Sequence, residues 1–143
     1  MAGRYWLIKS EPGVYPYSQL ESERKTAWTG VRNFEARNNL RAMAKGDLAL
    51  YYHSGEGKEI VGVARIASAP SEDPTAPGED WASVEVAPYR ALASPVTLAK
   101  VKKTASLKSF PLVTRSRLSV AEISPEHFRA VLSLSGTTLP TRP

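Results

Sequence analysis

Trp28-Thr29-Gly30-Val31-Arg32-Asn33-Phe34-Glu35-Ala36-Arg37-Asn38-Asn39-Leu40-Arg41 passes from a turn into a helix. Gly30 supplies the backbone freedom that the turn requires. Asn33 can cap the helix, and Ala36, Leu40 and Met43 or Ala44 recur at helical spacing, up to a stop at Gly46-Asp47. On this register Asn33, Arg37 and Arg41 share one face, with Trp28 and Arg32 just ahead of it. A flat indole, an amide and guanidinium forks are the groups that hold a base and a phosphate. An amphipathic helix with solvated arginines, and Trp28 in the core, accounts for the same pattern.

Around this stretch the chain reads as short strands. Residues 4–9 and 48–53 are rich in aromatic and β-branched or apolar residues, the second buried on both faces. Residues 60–66 return after a Gly-containing loop at 54–58, and Gly62 marks a bulge or a close backbone approach. Residues 81–90 alternate as a half-buried strand, and 118–123 form a last one. Ser18-Gln19-Leu20-Glu21 fits a capping box over a short helix, Thr97 caps a basic helix over 98–103, and Ser124-Pro125 opens a helix carrying Phe128, Val131 and Leu132. Residues 68–80 read as a Pro/Gly loop, and 107–113 are apolar without a clear period. No strand–helix–strand alternation of the parallel-sheet kind is evident, so the expected fold is α+β, a mostly antiparallel, partly closed barrel with flanking short helices. Residues 1–135 form one expected domain and 136–143 a flexible tail.

At 143 residues, with 42% hydrophobic and 23% charged residues, the chain can bury a substantial core. It has no Cys, which removes disulfides and thiolate metal sites, and only His53 and His127 stand for imidazole ligands. No metal and no cofactor is expected. No signal peptide or membrane-length apolar run is present, so the expectation is a soluble cytoplasmic monomer without a membrane partner. A net charge of +5 and a pI near 9.6 favour an anionic partner, nucleic acid above all.

Candidate chemistry is sparse. Ser54-Gly55-Glu56-Gly57-Lys58 lacks the rest of a dinucleotide fingerprint, and there is no Gly-x-Ser-x-Gly elbow. His53 with Glu11 is the one acid–base pairing available, and an enzyme acting on nucleic acid or a nucleotide through them is the alternative to a binding module. A small-molecule or protein interaction module is another. For binding, polar groups lie beside aromatics in Lys9-Ser10-Glu11, in Trp28 to Asn33 and in Tyr51-Tyr52-His53-Ser54. Arg115-Ser116-Arg117-Leu118-Ser119 adds guanidiniums on one side of an extended segment. Convergence of such groups at a barrel mouth is how a small pocket is built.

The sequence resembles the EVE-domain family of the thymocyte nuclear protein type. The resemblance rests on Tyr5-Trp6-Leu7-Ile8-Lys9-Ser10-Glu11-Pro12, on Trp28 to Asn38 and on Gly46-Asp47 through Tyr52-His53-Ser54. It continues in Ile60-Val61-Gly62, Asp73-Pro74-Thr75, Pro95-Val96-Thr97-Leu98 and Arg117-Leu118-Ser119-Val120, and spans residues 4–131. It implies a PUA-like barrel, related to the YTH readers of methylated adenine. It also implies a pocket for a modified base such as methylated or hydroxymethylated cytosine, in DNA or RNA. Carried over, Ser10 and Glu11 lie at the pocket edge and Trp28, Val31, Arg32 and Asn33 form its wall. Tyr52, His53 and Ser54 lie opposite, Arg117 and Ser119 close it, and Lys9, Arg37 and Arg41 meet the phosphates. Gly13, Phe34 and Glu35 depart from the family's more usual acid, Tyr and Gln.

Overall fold

Leu48, Leu50 and Tyr52 alternate with Ala49 and Tyr51 along one strand, and the two sets enter two different cores. The computed structural model describes residues 3–139. In chain order the elements are β1 (Tyr5–Ser10), α1 (Tyr17–Glu23), β2 (Thr26–Trp28), α2 (Phe34–Ala42), β3 (Leu48–His53), β4 (Glu59–Ile66), β5 (Ser71–Glu72), β6 (Ala82–Thr97), α3 (Leu98–Lys102), a 3-10 turn (Ala105–Leu107), α4 (Pro111–Thr114), β7 (Val120–Ile123) and α5 (Pro125–Ser135). The curled sheet runs β2-β6-β4-β3-β1-β7, with β5 on β6.

The sheet is mixed, because β1 pairs with β3 in parallel and all other pairs are antiparallel. The absence of a parallel crossover, expected from the sequence, is thereby corrected. The chain crosses from β1 to β3 through α1, β2 and α2. Central β1 and β3 carry buried side chains on both faces, as parallel neighbours do.

One core holds Trp6, Ile8, Tyr51, Val84 and Val86 beneath α1 and α2, which contribute Leu20, Ala36 and Leu40. The other holds Leu7, Leu50, Tyr52, Val63 and Val96 beneath α5, with Phe110 and Phe128. The unpaired edges, β2 and β7, face an opening that α2 spans. Asn39 Nδ2 donates to the Val120 carbonyl of β7 at 2.7 Å, fixing the helix across it. Buried Asp47 ties the loop after α2 to β1, accepting from the Trp6 indole at 2.9 Å and from the Ala44 and Arg4 amides.

Local signals are obeyed where a side chain caps a helix. Asn33, Thr97 and Ser124 accept from the amides of Ala36, Lys100 and His127. The capping box at Ser18 is not formed. α1 starts two residues earlier, after Pro16, and its Tyr17 amide is satisfied by the His53 ring. α2 stops at Ala42 with extended Met43, ahead of Gly46, whose φ of 98° serves the turn into β3. The strand read over 81–90 continues to Thr97, and the last strand is shorter than 118–123. At Gly62 the register shifts, and a Cβ would stand 2.5 Å from the Tyr17 ring, the close approach expected there. Of the expected tail, Thr137 Oγ1 accepts from the Ala93 amide, and 140–143 lie outside the described residues.

Candidate functional site

A cleft of about 310 Å³ opens where the end of β1 meets β2, lined by Ser10, Val14, Tyr15, Thr26, Ala27, Trp28 and Thr29. Its walls are aromatic. Trp28 is half-buried, with its ring edge-on to Tyr51 at 5.6 Å and to Tyr15 at 6.3 Å between centroids. The Tyr51 hydroxyl donates to the Tyr15 carbonyl at 2.6 Å and is hydrogen-bonded to Ser10, while the Tyr15 hydroxyl donates to Glu23 at 2.6 Å. Burial pushes the Tyr51 phenol far above its ordinary range, so it stays a neutral donor. The rings are held before any ligand arrives.

The turn after Trp28 is fixed from a distance. Asp73 is fully buried and accepts from the Gly30 amide (2.9 Å), the Arg32 guanidinium (3.0 Å), and the Thr75 amide and hydroxyl (2.7 Å each). Burial alone would raise its carboxyl, but these donors outweigh it and hold Asp73 well below the usual carboxylate range. Arg32 is thereby committed to Asp73 and Thr75, with its guanidinium also over Trp81.

The structure gathers part of the expected set at this end of the barrel. Ser10 lines the cleft with Trp28. Ser54 donates its amide to the Ser10 carbonyl, and Lys9 donates its own to the Ser119 carbonyl. The Glu11 carboxylate lies against Gly55. His53 Nε2 accepts from Tyr17, leaving the ring proton on Nδ1; burial lowers its pKa, with an opposing pull from Glu59. That contact spends the Nε2 lone pair a general base would use.

Other expected residues are drawn elsewhere. Val31 is buried in the core, and Tyr52 enters the opposite core because side chains alternate along β3. Asn33 spends its amide oxygen on the α2 cap. Lys9 reaches the carbonyls of Arg115 and Ser116, and burial lowers its pKa. Arg117 is exposed and lines, with Asn33 and Arg115, a separate cleft of about 280 Å³. Arg37 and Arg41 both bind Asp80, and Glu35 pairs with Arg115. Sequence reading missed Val14, Tyr15, Thr26 and Ala27, which no local pattern marks as lining a cleft. Among the described residues no acid or His cluster fits a metal ion, and no helix is long and apolar enough to cross a membrane.

The EVE domain model matches residues 4–134. Mouse thymocyte nuclear protein 1 is 35% identical, over 93% of this chain and 74% of its own. A solved structure of human THYN1 in complex with 5-methylcytosine-containing DNA superposes with a TM-score of 0.83 at 32% identity, covering 94% of this chain and 99% of that one. The YTH domain of Zygosaccharomyces rouxii MRB1, solved with N6-methyladenosine RNA, superposes at 0.57 with 20% identity, over 96% of this chain and 89% of that one. That last likeness bears on the fold alone.

Proposed function

This chain belongs to the EVE-domain family, and we propose that it reads nucleic acid by taking a modified base into the Ser10–Tyr15–Trp28 cleft. The observation that carries this reading is a preformed aromatic cleft in the same fold that, in human THYN1, is solved with 5-methylcytosine DNA. At about 310 Å³ it is at the lower end of ligand sites, suited to one flat base extruded from its stack. Trp28 and Tyr15 offer π-faces, Val14 and Ala27 offer apolar contact for a ring methyl, and the hydroxyls of Ser10, Thr26 and Thr29 meet the base edge.

The reading is one of binding without turnover, and 5-methylcytosine and its hydroxymethyl form are the proposed ligands. Ser54, whose amide meets the Ser10 carbonyl, supports the cleft from the end of β3, and Ser119 supports β1 through the Lys9 amide. Arg117 and the neighbouring cleft take the adjoining phosphates.

Affinity for one oligonucleotide sequence, with a single cytosine plain or 5-methylated, tests this. Trp28→Ala removes a stacking face and is expected to weaken the methylated complex by about tenfold or more, erasing the preference for it. Trp28→Phe keeps a face and part of the affinity. Equal affinity of the native chain for both oligonucleotides contradicts the reading.

A further inference from the structure

Beside the cleft, a second group of residues is arranged as if for a nucleotide. Phe34 is 67% exposed, the first residue of α2, and stacks on Trp81 at 5.4 Å with an interplanar angle of 11°. The Arg37 guanidinium lies 4.9 Å from the Phe34 ring centroid and 5.8 Å from that of Trp81, and Arg32 lies 5.5 Å from the latter. A large apolar ring left in water, backed by a second ring and flanked by cations, is an open stacking face.

Next to it, Arg37 and Arg41 converge on a single carboxylate. Arg37 Nη1 donates to Asp80 Oδ2 at 3.2 Å, and Arg41 Nη2 donates to Oδ1. The Arg37 side chain is only 14% exposed and is fixed further by Asn38, whereas Asp80 is 73% exposed at the end of the 73–80 loop, just before Trp81. Both guanidiniums also donate to the Asp80 main-chain carbonyl; two cations around one exposed carboxylate keep a net positive charge, and their forks suit phosphate oxygens equally.

We infer that Phe34, Trp81, Arg37 and Arg41 form a second nucleotide contact: an unpaired base stacks on the open face of Phe34, and its phosphate displaces Asp80 from the two arginines. This rests on the nucleic-acid reading above and extends it from one base to a neighbour on the same strand. The chain links the two places directly, because Asp73 holds both the Gly30 turn behind Trp28 and the Arg32 guanidinium over Trp81. Asp80 then acts as an internal competitor that sets how tightly any single strand is held.

The test uses the full chain and a labelled, unmodified single-stranded oligonucleotide, titrated at several salt concentrations, together with its 5-methylcytosine version. Phe34→Ser, on an exposed side chain, is expected to weaken the plain strand by about tenfold. Asp80→Asn is expected to tighten it and to steepen the salt dependence by about one unit of log–log slope. Both variants should keep the native ratio of methylated to plain affinity, which belongs to the cleft. If both bind the plain strand with native affinity and slope, the second contact is overturned while that ratio still judges the cleft. A native chain that binds neither strand overturns both.

Discussion

Asp73 makes the residue-scale case that the site is built by contacts remote in sequence. Its carboxylate joins the Gly30 turn to Arg32 across 43 and 41 positions, and it is fully buried. Asp73→Asn removes the charge and one acceptor while keeping the shape, and is expected to cost about 2–3 kcal/mol in urea unfolding. The sign of its pH dependence follows from a folded pKa held below that of the unfolded chain. The stabilisation is full above the unfolded value of about 4 and is lost as pH falls below it, so the variant should lack that part of the native chain's acid sensitivity. The Pro/Gly loop over 68–80 was legible in the sequence, as was the Trp28 turn. That one holds the other was not, because a buried carboxylate and its distant donors leave no local pattern.

At the scale of elements, α1 starts without a side-chain cap of its own. Ser18 looked like that cap, but the helix begins at Tyr17 and the free amide is met by His53 from the end of β3. Propensity and capping are local signals, and a ring supplied from another strand overrode them. Burial holds the folded pKa of His53 below the unfolded 6.5, so the unfolded chain binds more protons between these values. The contribution is therefore complete above about pH 6.5 and declines as pH falls below it. His53→Gln keeps an acceptor for the Tyr17 amide and does not titrate. The difference between native and variant unfolding midpoints should shift in the variant's favour from about pH 7.5 to about pH 5.5. The caps at Asn33, Thr97 and Ser124 were readable because each lies within three residues of its amide. The parallel pairing of β1 with β3 was not, since two helices and a three-residue strand intervene; the double-sided burial of 48–53 was its only trace.

For the whole molecule, the excess of 19 basic over 14 acidic residues predicts an anionic partner but not where it sits. The arginines of the helix face and of the turn ahead of it are paired with carboxylates, Arg37 and Arg41 with Asp80 and Arg32 with Asp73, and so is Arg115 of the 115–119 segment, with Glu35. On the proposed reading, charge tunes how readily a strand is accepted, and the aromatic cleft decides which base enters. The three tryptophans make this division measurable. Trp28 lines the cleft, Trp81 backs Phe34, and Trp6 is fully buried with its indole N–H on Asp47. The most direct measurement follows the three indole N–H resonances of the labelled protein during titration with plain and 5-methylated single strands. Trp28 is expected to shift far more with the methylated strand, Trp81 to shift alike with both, and Trp6 to stay still. A Trp28 resonance that is unmoved, or that moves equally with the two strands, would contradict the modified-base reading.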